Sequence, residues 1–285
     1  MYPARFRYEA PESLGGALEL LRTYGEEAKV LAGGQSLIPM VKLRFATPEL
    51  LVDINGLPDL GYHEVRDGAL EVGALCRHVD LEYSTGLDRW PLMASAAPLI
   101  ADPIVRNRGT LVGSVCHADP QGDWASVMLA LNGSIVATGP NGRRVVPAGE
   151  FVTGPFQNAL LPGEIAIAAR IPVPTGTPFG RYLKLERRVG DFATAGVAVA
   201  LELAGRTVLT AGVALTGVGA NNIKVVAAEQ VLAGSALEPE VVEEAARLAA
   251  EAAQPRTDHR GSADYKRHVV RTFVTRALEL TPVAV

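Results

Sequence analysis

Two segments rich in glycine and small hydroxyl residues could bind an anionic ligand through the backbone. The first, residues 32–37, reads Ala-Gly-Gly-Gln-Ser-Leu, and the second, residues 106–114, reads Arg-Asn-Arg-Gly-Thr-Leu-Val-Gly-Ser. Each follows an apolar stretch, and glycines let backbone N–H groups approach a ligand with no Cβ atom in the way. Together the two segments predict a diphosphate held from two sides.

Other interpretations of the two segments remain open. The first lacks the Gly-x-Gly-x-x-Gly spacing of a Rossmann site and the lysine after glycine of a nucleotide-triphosphate loop. It could be an ordinary strand-to-helix turn, and the second could be a surface turn with a solvated carboxylate. Beyond the second segment, Asp123 suits ribose hydroxyls, because its charge would repel phosphate. Asp123 also begins a predicted helix, so it could cap that helix.

The composition excludes several other classes of protein. A net charge of -4 over 285 residues argues against a nucleic-acid binder with a broad basic face. The only cysteines, Cys76 and Cys116, cannot supply the four thiolates of an iron–sulfur cluster. No run approaches the roughly 18 consecutive apolar residues that span a bilayer. We therefore expect a cytoplasmic protein, or one held at the membrane periphery by a complex, with no membrane span.

The elements that must position the two segments follow from apolar spacing and turn residues. A helix over residues 13–24, strands over 29–32 and 50–54, and a helix over 37–43 predict a small α/β unit with a parallel sheet in residues 1–55. The pattern of residues 56–177 predicts a mixed or antiparallel sheet with helices. The Asn141–Gly142 pair predicts a hairpin within it.

Three prolines between residues 172 and 178 predict a domain boundary there. Beyond it the pattern indicates strands over 181–185, 193–203 and 207–216, followed by helices over 223–232, 240–253 and 263–280. Residues 178–285 are therefore predicted to form a three-stranded antiparallel sheet with a layer of three helices. The fold class is α+β.

The glycine-rich segments carry a resemblance to a known family. Residues 32–39, residues 108–114 and the His-Ala-Asp-Pro run at 117–120 resemble the FAD-binding medium subunit of molybdenum hydroxylases, especially of aerobic carbon monoxide dehydrogenases. Residues 184–195 are similar to the start of that family's C-terminal domain, so the resemblance covers nearly the whole chain. It implies that residues 1–177 form an FAD-binding domain of the PCMH type, with subdomains of about 1–55 and 56–177.

The resemblance also implies which residues contact FAD. The two segments would hold the pyrophosphate, His117 and Asp123 would follow the ribityl and ribose part, and Ile100, Ile165 and Ala166 would form apolar walls. Lys184 would approach the flavin, where a cation can stabilise negative charge on the reduced ring, and Phe192 would cover the ring, without the hydroxyl of the family's frequent tyrosine. The implied residues are Ala32, Gly33, Gly34, Gln35, Ser36, Leu37, Ile100, Thr110, Leu111, Gly113, Ser114, His117, Asp123, Ile165, Ala166, Lys184 and Phe192.

Simpler roles stay open for two of these residues, and a third position departs from the family's pattern. Lys184 could be a solvated lysine on an edge strand, and Phe192 could be a core aromatic. Val112 stands where relatives usually have glycine, and a β-branched residue does not easily adopt a positive φ. Valine in place of Gly33 or Gly113 is expected to abolish FAD retention while leaving the fold mostly intact.

The family resemblance implies an oxidoreductase subunit with no catalytic residue and no metal ligand of its own. Its FAD would take electrons from [2Fe–2S] clusters in a small subunit and pass them to an external acceptor. A large subunit with the molybdenum cofactor would oxidise the substrate, with carbon monoxide as the best candidate, in a dimer of heterotrimers. A stand-alone FAD-dependent oxidase acting on a small substrate, or a non-redox nucleotide-binding protein, remains an alternative.

Overall fold

The first subdomain is a parallel sheet flanked by two helices, in a computed structural model that describes residues 2–282. Its elements are β1 (Arg7–Glu9), α1 (Leu14–Tyr24), β2 (Ala28–Leu31), α2 (Leu37–Leu43) and β3 (Leu50–Asp53). The strand order is β1-β3-β2, with both pairings parallel. The Ser13 hydroxyl caps α1 by accepting a hydrogen bond from Gly16 N at 3.1 Å. The parallel sheet is therefore as predicted, although β1, only three residues long, gives no periodic signal in the sequence.

The second subdomain is built on a five-stranded antiparallel sheet of order β4-β5-β10-β6-β7. Its elements are β4 (His63–Arg66), β5 (Ala69–Gly73), α3 (His78–Glu82), α4 (Pro91–Ala96), α5 (Pro103–Arg106), α6 (Leu111–His117), α7 (Asp123–Ala130), β6 (Ser134–Gly139), β7 (Gly142–Pro147), α8 (Ala148–Phe151), β8 (Val152–Gly154), β9 (Gln157–Asn158) and β10 (Ile165–Pro172). The predicted hairpin forms between β6 and β7, where Gly142 adopts a φ of 89°. Only a backbone without Cβ takes that conformation at little cost.

The C-terminal part is an antiparallel sheet covered by three helices. Its elements are β11 (Thr177–Leu185), β12 (Ala195–Ala204), β13 (Thr207–Thr216), β14 (Ile223–Lys224), α9 (Val226–Leu232), α10 (Pro239–Ala252) and α11 (Ala263–Glu279). The sheet has four strands, where the sequence predicts three, because Ile223 pairs with Leu215 in β13 and does not begin a helix. A two-residue strand is too short to give an alternating pattern. β11 begins at Thr177, one residue before the predicted boundary.

The C-terminal sheet packs on both faces, and this attaches it to the rest of the chain. One face, with α9, α10 and α11, forms a hydrophobic core of its own. From the other face Tyr182, Ala198 and Ala214 join the core that surrounds Trp90 and Trp124. A Cβ atom on Gly180 of β11 would lie 2.5 Å from the Leu92 nitrogen in α4. The backbone of this sheet is thus in direct contact with the second subdomain. Among residues 2–282, no helix is long and apolar enough to cross a membrane.

Candidate cofactor site

The two glycine-rich segments meet at a cleft between the first and second subdomains. Gly33 packs against the backbone of Arg108 and Gly109, and a Cβ atom at Gly33 would lie 2.8 Å from Gly109 Cα. The cleft has a volume of about 640 Å³. It is lined by Leu31, Ala32, Gly33, Gly34, Gln35, Ile38, Pro39, Lys42, Leu43, Asp53, Asn55 and Arg108. Four of the predicted residues therefore line one cleft, next to the second segment.

The first segment turns sharply from β2 into α2. Gly34 makes the turn with a φ of 76°, a left-handed conformation that favours glycine. Its carbonyl then accepts from Ile38 N at 3.0 Å, which begins the helical hydrogen bonding. Ser36 precedes α2 but its hydroxyl does not cap the helix. Backbone N–H groups at such a strand-to-helix turn can donate hydrogen bonds to an anion.

The second segment runs from the last residue of α5, Arg106, into the first turn of α6. The Thr110 hydroxyl oxygen accepts a hydrogen bond from Gly113 N at 3.1 Å and so caps α6. A Cβ atom at Gly113 would lie 2.7 Å from that oxygen, so this glycine protects the cap. Leu111 and Val112 point into the core. Because Val112 is helical and has no positive φ, the valine fits without the strain that its alignment with glycine suggested.

Charged side chains occupy the wall of the cleft. Arg108 and Lys42 line it, and within residues 2–282 neither side chain makes a hydrogen bond or ion pair. Asp53 lies near them, where its carboxylate accepts from the Tyr8 hydroxyl and from Asn55 N at 2.5 and 2.8 Å. Burial alone would raise the pKa of Asp53, but these hydrogen bonds and the charge of Arg108 lower it. The cleft therefore offers the positive charges of Arg108 and Lys42 to an anionic ligand and an ionised carboxylate to hydroxyl groups.

Arg77 and Asn55 are site residues that the sequence analysis missed. The Arg77 guanidinium donates to the Arg108 carbonyl at 2.7 Å and to Asn55 Oδ1 at 2.5 Å. The Asn55 amide donates in turn to the Ala32 carbonyl at 2.8 Å. Arg77 is separated from its two partners by 31 and 22 residues. No local pattern could reveal contacts at that distance along the chain.

A second group of predicted residues lies at the junction with the C-terminal sheet. Lys184 Nζ donates to Asp123 Oδ2 at 3.0 Å and to the Leu99 carbonyl at 2.9 Å. The Tyr182 hydroxyl donates to Asp123 Oδ1 at 2.6 Å. Burial raises the pKa of Asp123, although Lys184 and Tyr182 oppose this effect. The Lys184 side chain is only 2% exposed, so the interpretation of Lys184 as a solvated lysine is wrong.

Phe192 lies in the loop between β11 and β12, next to this junction. Its side chain is half exposed, so it is not a core aromatic. Arg260 holds the loop by donating to the Phe192 carbonyl at 3.0 Å and to Asp191 Oδ1 at 3.1 Å. Hydrogen bonds from Arg260 and Phe192 N lower the pKa of Asp191 to about 2. The loop therefore presents an exposed ring on a fixed backbone.

The remaining predicted residues connect the two groups or lie in the core. Ile100, Ile165 and Ala166 are buried in the first core. His117 ends α6 half-buried, with its ring centroid 5.3 Å from that of Phe156. α6 has seven residues and is therefore about 10 Å long. It runs from Thr110, next to the glycine-rich cleft, to His117, so the predicted residues extend beyond that cleft along α6.

Two family models together cover almost all of the chain. One, described as the FAD binding domain in molybdopterin dehydrogenase, matches residues 4–174. The other, described as the CO dehydrogenase flavoprotein C-terminal domain, matches residues 181–281.

Individual relatives match over the same extent. The chain is 42% identical to the carbon monoxide dehydrogenase medium chain of Hydrogenophaga pseudoflava, covering 98% of this chain and 97% of that one. It is 37% identical to the glyceraldehyde dehydrogenase medium chain of Sulfolobus acidocaldarius, over 98% and 99% of the two chains. A solved carbon monoxide dehydrogenase from Hydrogenophaga pseudoflava, lacking the Mo-pyranopterin moiety of its cofactor, superposes with a TM-score of 0.94, 44% identity and 98% coverage of both chains.

Proposed function

Since the chain belongs to the family of FAD-binding medium subunits of molybdenum hydroxylases, we propose that it is the FAD-carrying electron-transfer subunit of such a complex, with carbon monoxide as the substrate. Bound FAD supplies the redox chemistry, by accepting and passing on electrons. The residues of this chain bind the cofactor, orient it and exclude water. The observation that carries the proposal is the convergence of residues 32–37 and 106–114 at one cleft.

The donor groups at the cleft fit a dinucleotide. Backbone N–H groups of the first segment and the start of α6 offer hydrogen bonds to a diphosphate, and Arg108 and Lys42 offer positive charge. Asp53 and the apolar side chain of Ile38 line the same cleft and suit a nucleoside. We propose that Ala32, Gly34 and Thr110 hold the diphosphate, while Asp123, Lys184 and Phe192 lie toward the flavin.

The charge at the domain junction modifies the role proposed for Lys184. Asp123 and Glu186 both lie within 3.5 Å of its ammonium group. Two carboxylates therefore compensate the one positive charge. We propose that Lys184 acts chiefly by fixing β11 against α7 and the Leu99 carbonyl, which orients the surface against which the ring would lie.

Flavin titration of the purified full chain tests the cofactor. We expect a visible flavin absorption band with FAD, and at least about tenfold weaker binding of FMN, because FMN has only one phosphate for a site built around two. Equal affinity for FMN, or no bound flavin after FAD is added, would contradict the proposal.

The partners and the substrate are proposed from the relatives. Relatives named for carbon monoxide and for glyceraldehyde share this subunit at 42% and 37% identity, so we place substrate choice in another subunit. We propose a small subunit with [2Fe–2S] clusters and a large subunit with the molybdenum cofactor, in a cytoplasmic dimer of heterotrimers. Within this chain, we propose a domain boundary between residues 177 and 178.

Co-expression of this chain with the two proposed partner subunits should give a complex that contains iron and molybdenum and oxidises carbon monoxide. Turnover of a small substrate by this chain alone, free of both metals, would favour a stand-alone oxidase.

A further inference from the structure

We propose that Arg77 is a positioning residue that holds the two glycine-rich segments at the separation FAD requires, an inference that rests on the proposed function. Arg77 lies between β5 and α3 and belongs to neither segment. It nevertheless bonds directly to one of them and, through Asn55, to the other.

The guanidinium group suits this position because it donates in two fixed directions. Nη1 donates to the Arg108 carbonyl at 2.7 Å, and Nη2 donates to Asn55 Oδ1 at 2.5 Å. A planar fork loses little freedom when both bonds form. One side chain therefore fixes the distance between the second subdomain and Asn55, two residues after the end of β3.

Asn55 extends this connection to the first segment. Its Nδ2 donates to the Ala32 carbonyl at 2.8 Å and to Asp53 Oδ1 at 2.5 Å. Its backbone N–H also donates to Asp53 Oδ1, so the side chain has little freedom to turn. The position of Ala32 relative to Arg108 is thereby set by two side chains in series.

The backbone around Arg77 is fixed independently of its side chain. Arg77 N donates to Asp80 Oδ2 at 2.8 Å, and His78 N donates to the Gly109 carbonyl at 2.9 Å. Arg77 and Thr110 also form an isolated antiparallel bridge. Loss of the guanidinium should therefore leave the second segment in place and remove its hydrogen-bonded link to the first, which keeps only its backbone contact at Gly33.

The pKa of Arg77 reflects both cations and carboxylates around it. Burial and the neighbouring charge of Arg108 lower the pKa of Arg77, whereas the carboxylates of Asp80 and Asp53 oppose this effect. Two guanidinium groups are thus held close together, with carboxylates nearby. A diphosphate in the adjoining cleft would add negative charge beside Arg108, which lines that cleft.

The test compares FAD dissociation constants of full-length variants. Arg77→Met keeps much of the side-chain length and removes all donors, and we expect it to weaken FAD binding by about tenfold or more. Arg77→Lys keeps the positive charge and donors but lacks the planar fork, so its affinity should lie between those of wild type and Arg77→Met. Arg22→Met, in an exposed pair with Glu19 on α1, is the matched control and should bind as wild type does. Melting of the FAD-free chains identifies variants that have lost the fold, and Arg77→Lys provides the comparison if Arg77→Met does not fold.

A double-mutant cycle with Asn55→Leu tests the series arrangement. If Arg77 acts on the first segment through Asn55, the double variant should bind FAD about as weakly as the weaker single variant. Unchanged affinity in folded Arg77→Met or Arg77→Lys would overturn the proposal, as would additive effects in the cycle. A wild-type chain that binds no FAD would instead overturn the proposed function, and the inference with it.

Discussion

At the residue scale, the buried imidazole of His78 joins the second glycine-rich segment to α7. Trp124 Nε1 donates to His78 Nδ1 at 3.0 Å, so this nitrogen must carry no proton. A Cβ atom on Gly109 would lie 2.7 Å from the His78 ring. Burial, with smaller effects from the charges of Arg106 and Arg77, lowers the pKa of His78 to about 4. The ring is therefore held neutral beside the cofactor cleft.

This neutral histidine predicts a loss of stability in mild acid. The unfolded chain binds a proton at His78 near the ordinary value of about 6.5, whereas the folded chain does so only near 4. Between these values the unfolded state binds more protons, so the free energy of unfolding falls as the pH falls. The loss should reach about 2 kcal/mol by about pH 5.

Urea unfolding of the FAD-free chain at about pH 7.5 and about pH 5 measures this effect. His78→Gln keeps an acceptor for Trp124 and should lose less stability over the same interval. His268→Gln, at an exposed histidine, should behave as wild type. Equal pH dependence in His78→Gln and wild type would show that His78 is not the responsible group.

At the scale of elements, the lack of a Cβ atom at the glycines allows close contacts within the chain as well as close approach of a ligand. Gly33 allows the turn after β2 to touch the backbone at Arg108, and Gly113 leaves room for the Thr110 cap of α6. The expectation that valine at either position would leave the fold mostly intact is therefore revised. A larger side chain would separate the two segments or break the cap.

Alanine at Gly33 predicts a measurable form of this effect. Its Cβ would meet Arg108 O and Gly109 Cα, and overpacking of this kind costs about 1–3 kcal/mol. We expect Gly33→Ala to lower the melting temperature and to weaken FAD binding. Gly56→Ala is the control, because a Cβ there meets no atom within 4 Å. A Gly33→Ala chain that melts and binds FAD as Gly56→Ala does would contradict this account.

At the scale of the whole molecule, a buried polar network joins the C-terminal sheet to the second subdomain. Asp123 of α7 accepts from Tyr182 and Lys184 of β11. The Tyr182 hydroxyl also bonds to Thr216 Oγ1 at 3.0 Å, and Thr216 bonds to Ser126 Oγ at 2.6 Å. Each group in this network has its partner on another element. The attachment of the sheet therefore depends on complementary charges as well as on the shared core.

The ion pair at this junction predicts a non-additive response to mutation. Lys184→Met should destabilise the chain by about 3–5 kcal/mol, because it leaves the Asp123 carboxylate buried without its cation. Adding Asp123→Asn should recover part of that loss by removing the buried charge. Urea unfolding of the single and double variants, with Lys29→Met at an exposed lysine as control, measures the difference. A double variant less stable than Lys184→Met would contradict the expected compensation.

Basic side chains in residues 256–271 also form ion pairs with carboxylates of other segments or of their own. Arg260 pairs with Asp191, Lys266 with Asp258, and Arg271 with Glu243. These three basic side chains are thus paired with carboxylates in the fold. Their charges could be counted from the sequence, but their partners could not.

The sequence by itself determined the local elements. The predicted bounds of α2 agree with the structure, and α1 begins one residue later than predicted, because Ser13 caps it. The antiparallel hairpin at Gly142 also forms where its turn residues indicate. Such features depend on side-chain periodicity and turn conformation over a few neighbouring residues. The glycine-rich motifs were likewise readable, because their signal is a short continuous run.

Only the tertiary structure decided how distant residues combine. The sequence does not show that Arg77 joins Arg108 to Asn55, that Lys184 is buried against Asp123, or that the Gly33 turn touches residue 108. The residues of the Lys184–Asp123 pair are 61 positions apart. Whether two such groups meet depends on the packing of whole sheets and helices, which brings them together only when the core has formed.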